Sequence, residues 1–395
     1  MNAPEVLTPG VERFRTRCLV VGGVVMALLL AGAVTNPSVF FHAYLTAYLF
    51  WIGIALGCLA LLMLHHLVGG RWGFVIQRPL ESAARTLPVL LVLFVPLLFG
   101  LRELYLWARP EVVATQEILK HRQPYLNTPF FTARLVVYFV VWIGLATLLS
   151  KWSLEQDRTG APDLTRRLRR LSAPGLILYA LTMTFASFDW VMTLGPQWHS
   201  TLFGAVFMVG QGLAALCFMV VVAARLAGRG PLAGVVSPQH FHDLGNLILA
   251  FVMLWAYMAF SQYLIIWSGN LPDEIPWYLH RMKGRWEWIG IFMIPLHFLI
   301  PFLLLLSRLT KRRVDLLVPV AVGILVMRLV DLFYIVVPSF RPGEIAVHWM
   351  DVLAPIGIGG FWLWAFLGQL QGRPLLPLRD PRFADAREQA HEVSA

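Results

Sequence analysis

Arg328 and Asp331 stand three residues apart inside one apolar run, Val314–Val337. On a helix that spacing puts both side chains on one face, so the acid and the base can meet. An ionised group at the middle of a bilayer costs at least ~2.5–3.5 kcal/mol. Pairs of this kind most often serve an ion or proton path, or lock helices together. Three more ionisable residues, Arg134, Asp189 and His297, fall in other apolar runs. Carboxylates, an imidazole and guanidinium groups strung through hydrocarbon are the parts of a proton relay. The same groups have plainer uses. Arg134 and Arg102 can snorkel to a headgroup layer, and Asp189 can brace the bend before Pro196. His297, between Pro295 and Pro301, can donate to a carbonyl freed by a kink.

The elements that must carry these groups are membrane helices. Of the 395 residues, 58% are hydrophobic and only 14% are charged. Ten apolar stretches reach, or nearly reach, the length needed to cross ~30 Å of hydrocarbon. They are 18–34, 43–68, 86–106, 130–151, 174–194, 201–224, 240–267, 286–307, 314–337 and 351–370. The expectation is an all-α integral membrane protein. It has an N-terminal segment 1–17, a ten-span membrane domain 18–370 and a tail 371–395. The longest loops, 107–129 and 152–173, are too short for a soluble domain.

The net charge of +10 is not spread as nucleic-acid binding would require. Taking loops on alternate sides, 22 Lys and Arg fall on the side of both termini and 7 on the other, with loop 69–85 among the basic ones. By the positive-inside rule both termini are cytoplasmic. The run Arg166-Arg167-Leu168-Arg169-Arg170 is most simply a topology anchor, with anionic lipid contact as the second reading. Arg13, Arg15 and Arg17 before an apolar run ending Ala31-Gly32-Ala33 resemble a cleaved signal. The long lead and the even span count favour a retained helix. Cys18, Cys58 and Cys217 form no C-x-x-C pattern, so no iron–sulfur cluster or c-type haem is expected in this chain. His65 and His66 are adjacent and His297 stands alone, a poor set for a bis-histidine haem.

Helical rise converts position into depth. His297 falls near the midplane, and Arg328 and Asp331 lie from the midplane outward. Asp189 lies about a turn and a half beyond centre, and Arg134, Gln262 and Tyr263 lie in the outer third. His240, His242 and Asp243 open one span at the inner side, where they can also be solvated end residues. A proton wire needs this distribution of groups, bridged by water. Most of the tryptophans fall at span ends and read as an interfacial belt. Trp190, Trp198, Trp267 and Trp277 gather at the outer side, a surface fit for a docked partner.

Two segments are distinctive. One runs Ser187-Phe188-Asp189-Trp190-Val191-Met192-Thr193-Leu194-Gly195-Pro196-Gln197-Trp198-His199-Ser200-Thr201-Leu202-Phe203-Gly204. The other carries Trp255-Ala256-Tyr257, Ser261-Gln262-Tyr263, Asn270-Leu271-Pro272, Pro276-Trp277-Tyr278 and His280-Arg281, with His297-Phe298 and Pro301-Phe302 downstream. Together they closely resemble the second polysulfide-reductase-type (NrfD-like) membrane subunit of bacterial alternative complex III. The resemblance is strong over about 174–310 and rests on span pattern elsewhere.

The resemblance implies a quinol-oxidising respiratory complex of the bacterial inner membrane. Its partners would be the sister NrfD-like subunit, an iron–sulfur subunit and haem c subunits, besides membrane lipid, with no nucleic acid. Quinol, iron–sulfur clusters and haem c would belong to the complex, and this chain would bind no cofactor or metal and hold no catalytic residue. The quinol site would lie in the sister subunit. Two four-helix bundles are implied, about 43–194 and 201–337, with spans one and ten peripheral. A proton pathway would run through Asp189, Gln262, Tyr263 and His297, with Arg328, Asp331, His242 and Asp243 joining by depth. Where relatives often read an acid and then Pro-His-Trp, this chain reads Gly195-Pro196-Gln197-Trp198. An outer exit or quinone contact would then fall to His199, Trp190 and Trp198. Two other readings stand beside this one: a scaffold-only subunit, and a secondary transporter. The latter lacks a matched pair of broken helices, since Gly357-Ile358-Gly359-Gly360 has no counterpart.

Overall fold

A computed structural model describes residues 9–227, 236–282, 284–343, 345, 347–371, 373–377 and 379–380. The first eight residues, part of loop 225–239 and the tail beyond residue 380 lie outside them. Among the described residues there is helix and no strand. That is the expected outcome where lipid offers backbone groups no partner. Ten helices are long and apolar enough to cross a membrane, so the chain is a multi-pass membrane protein.

The helices used below are α1 Pro9–Thr35, α2 Pro37–Val68, α3 Arg71–Ala84, α4 Leu87–Phe99, α5 Thr128–Thr159 and α6 Pro162–Trp190. They continue as α7 Phe203–Leu226, α8 Pro238–Gly269, α9 Ile275–Met282, α10 Trp286–Leu306, α11 Val314–Val336 and α12 Trp349–Leu370. Local chemistry fixes their ends. Proline opens α2, α5, α6 and α8, where a missing N–H costs nothing. Asn127 accepts a hydrogen bond from the Phe130 amide (2.9 Å) and caps α5. Gly160, at φ +67°, closes α5 in the left-handed region that glycine enters without strain.

Two loop assignments need correction. Residues 152–173 are not a loop: α5 and α6 run on past the apolar stretch and meet at Gly160 and Ala161. Apolarity marks where a helix crosses lipid, not where it ends. Residues 69–85 are not a loop either. They hold α3, of whose 14 residues 12 are buried. Its Arg78 and Glu81 break the apolar run but pair with each other at i, i+3 inside the protein. The N-terminal segment is helix from residue 9 onward.

Helices α2, α3–α4, α5 and α6 form one four-helix bundle, and α7, α8, α10 and α11 form the other. Helices α2 and α7 sit at the junction and are the most enclosed spans. They approach until Gly57 lies against the Gln211 backbone, where a Cβ would collide. Helices α1 and α12 flank α2, as the two peripheral spans. They cross where Gly360 meets Gly22, the small-residue contact by which helices pack in lipid. The Gly357–Gly360 run therefore has a packing role. Gly359 also seats the Trp51 ring, whose Nε1 donates to the Pro355 carbonyl (2.8 Å).

The tryptophan belt holds in part. Trp267 and Trp288 are exposed, but Trp142, Trp190, Trp198 and Trp286 are core residues.

Candidate functional site

The end of the molecule that carries the described parts of both termini is called the basic end here, and the opposite end the far end. In the second bundle, α11 carries Arg328 and Asp331 as a direct ion pair, 2% and 5% exposed. The Arg328 guanidinium fills the space beside Gly210 of α7, where no Cβ would fit. It also lies 5.7 Å from the Phe207 ring centre, in cation–π range. The Trp255 indole of α8 adjoins Asp331.

His297 comes to the same place from α10. Pro295 and Pro301 both lack the amide hydrogen an α-helix needs, and the turn Ile294–Leu299 widens to a π register. That turn carries His297 into full burial, its ring 4.0 Å from that of Trp255. Neither imidazole nitrogen makes a hydrogen bond of acceptable geometry with a described residue. Its polar neighbours are Arg328 and the Met327 carbonyl. The structure thus brings together His297, which the resemblance named, and Arg328 and Asp331, which depth placed from the midplane outward.

A second layer lies toward the far end. Gln262 receives the Ser200 hydroxyl (3.3 Å) and donates to the Tyr278 hydroxyl (3.3 Å). Tyr263 is half-buried and stands edge-on to Tyr278. Trp198 stacks on Trp277 at 4.6 Å, and His199 lies 3.5 Å from Glu274. Behind them is Arg281, which the motif contained but to which no role was assigned. It is buried, stacks on Trp277 and donates to the carbonyls of Trp277, Tyr334 and Ile335. The last two are C-terminal carbonyls of α11, where a cation meets the negative end of the helix dipole. Burial lowers the Arg281 pKa from its ordinary value to about 9, while Tyr334 and Tyr278 act the other way. Burial pushes Tyr278 up to about 12.

At the basic end, His240 joins Ser237 in a capping box that starts α8. His242 is 3.8 Å from Asp243 and 3.3 Å from the Asn246 amide. Lys311 donates to Asn246 (2.7 Å). Between this mouth and Asp331 the buried positions are apolar: Leu244, Ile248 and Val252 on α8, Leu317, Ala321 and Ile324 on α11. From Asp243 to Trp255 the separation along α8 is about 18 Å at 1.5 Å per residue.

Asp189 is elsewhere, in the first bundle. It accepts two hydrogen bonds from Arg134 (2.8 and 2.9 Å) and one from Tyr138 (2.8 Å). Arg134 therefore does not snorkel, because a buried carboxylate binds it more strongly than water would. It is sandwiched by Tyr125 and Phe130, its guanidinium 3.8 and 4.4 Å from their ring centres. Arg102, by contrast, is exposed. Trp190 packs among Tyr48, Phe94 and Trp142 and has no described contact with Trp198 or His199. The three do not form one surface, nor does Asp189 join the His297 group.

Two polar groups escaped the sequence reading. At the basic end of the first bundle, Arg78 pairs with Glu81 and Asp157, and Ser153 donates to Glu81 (2.6 Å). At the bundle junction, the Tyr179 hydroxyl donates to Gln211 (2.7 Å), the residue after Gly210. A lone glutamine inside the apolar run 201–224 was the available signal for the latter. Comparison of the sequence with models of known families and with curated proteins finds no match to either.

Proposed function

We propose that this chain is a cofactor-free membrane subunit of a quinol-oxidising respiratory complex of the alternative complex III type, and that its second bundle conducts protons. In this reading the basic end faces the cytoplasm of a bacterial inner membrane. Two lines support it: the resemblance of residues 187–204 and 246–302 to NrfD-like subunits, and the buried group Arg328, Asp331, Trp255 and His297. The second carries the proton role. An acid and an imidazole are held at mid-depth in the span, each adjoining the same indole, and the far-end layer of Gln262, Tyr278 and Ser200 offers a hydrogen-bonding exit.

The test uses the complex isolated through a tag on this chain. Co-elution of haem c and iron–sulfur proteins with quinol oxidation is expected, and a colourless, partner-free chain would sink the assignment. Within the complex, Asp331→Asn and His297→Leu should lower protons moved per electron while quinol oxidation partly survives. Normal pumping by both variants would leave the anchoring role alone.

A further inference from the structure

We infer that the basic-end turns of α6 form a binding site for an anionic phospholipid of the surrounding membrane. Arg166, Arg169 and Arg170 recur at i, i+3 and i+4 and share a face. All three are exposed, while Leu164 and Leu168 turn the other side of the helix into the protein. Arg167 is neutralised by Asp163 (3.1 Å). Arg166, Arg169 and Arg170 make no ion pair or hydrogen bond with any described residue. Four other cations of this end are engaged: Lys311 holds Asn246, Arg313 holds Asp315, Arg15 holds Gln371, and Arg373 holds Ser150. The α6 face thus carries three charges without partners among the described residues, on one side of one helix.

What lies beneath that face identifies the ligand. Seven residues on from Arg170, the same side of α6 presents Ile177, then Leu181 and Phe185, all among the exposed apolar residues. The arginines therefore stand directly over a strip that lipid chains must cover. The apolar stretch of α6 begins at Pro174, so Arg170 lies about 6 Å outside it at 1.5 Å per residue. That is the depth of the headgroup layer, ~5–7 Å per leaflet. Guanidinium groups bind phosphate oxygens in paired hydrogen bonds, and three on one face can clasp a phosphodiester. A ligand with a phosphate at this level and acyl chains along Ile177, Leu181 and Phe185 satisfies both halves of the surface. A free phosphate would satisfy only one. The proposal depends on the membrane helix alone and stands whether or not the chain moves protons.

The experiment is native mass spectrometry of the full chain titrated with phosphatidylglycerol or phosphatidylcholine. The chain is expected to hold phosphatidylglycerol in preference. Each basic residue near an anionic surface is worth about fivefold in affinity, so R166Q/R169Q/R170Q should weaken that binding on the order of a hundredfold. The variant R308Q/R312Q/R313Q removes equal charge from the same end and should leave it unchanged. Equal loss in both variants, or none in the first, would overturn the site. Should the first variant fail to insert, the wild type still decides. Equal binding of the two lipids, or displacement of phosphatidylglycerol by excess inorganic phosphate, refutes the proposal.

Discussion

The Arg134–Asp189 pair ties α5 to α6, and its removal should cost more from the arginine side than from the aspartate side. Asp189 is 1% exposed and accepts three hydrogen bonds, two of them from Arg134. Arg134→Leu leaves a buried carboxylate with the Tyr138 hydroxyl alone, a loss of about 3–5 kcal/mol for a broken buried pair. Asp189→Leu is milder. Arg134 keeps the Tyr125 carbonyl (2.9 Å) and both aromatic faces, so about 2 kcal/mol is expected, the worth of a hydrogen bond to a charge. In Arg134→Leu/Asp189→Leu no charge is stranded, and its cost should fall below that of Arg134→Leu by itself. The assay is reversible chemical unfolding in mixed micelles, arranged as a double-mutant cycle. Independent sites add within ~0.5 kcal/mol. Additivity of the two changes, or an Arg134→Leu cost under ~1 kcal/mol, would refute the clamp.

Gly210→Ala should place a methyl group against the Arg328 guanidinium and lower stability by about 1–3 kcal/mol, as overpacking does, whereas Gly323→Ala, with open space around it, should be neutral; melting temperatures of the two variants check this. Tyr278 should ionise near pH 12 in the folded protein against an ordinary value of 10.0. The folded state then holds that proton more tightly, so the contribution is complete below about pH 10 and is lost as pH climbs toward 12; tyrosinate absorbance of wild type against Tyr278→Phe should differ in that window and nowhere below it.

Apolar runs made the ten spans legible, because crossing lipid demands length and hydrophobicity. The two ends of each helix were less so. Arg166–Arg170 reads as loop when charge is equated with a terminus, yet arginine is a good helix former and α6 runs through it. Helix α3 was lost for the opposite reason: its Arg78 and Glu81 look solvated until Asp157 and Ser153 arrive from α5. Depth counted along helices placed His297, Arg328 and Asp331 near one level, and neighbouring spans at equal depth can touch. It could not say that Asp189 faces α5 instead. That choice depends on how α6 is rotated, and rotation is set by packing of side chains such as Met183 and Trp190.

The two buried ion pairs differ in a way that bears on function. Arg134 and Asp189 sit on different helices, so their attraction works against separation of α5 from α6. Arg328 and Asp331 sit on one helix, so their mutual attraction ties no two helices, although Arg328 packs against Gly210 and Phe207 of α7 and Asp331 adjoins Trp255 of α8. Apolar residues of similar volume would generally stabilise such a core as well or better. Packing does not call for charge at that point either, because Gly210 makes room for a guanidinium that a smaller pocket would have excluded. A pair whose mutual attraction joins no two helices is suited to a task performed where it stands. His297 lies alongside with neither ring nitrogen in a geometric hydrogen bond to a described residue, and the group is consistent with the proton role proposed above. In that proposal, the buried apolar residues Ile248, Val252, Ala321 and Ile324 separate the group from the basic end and would keep an open leak from forming there.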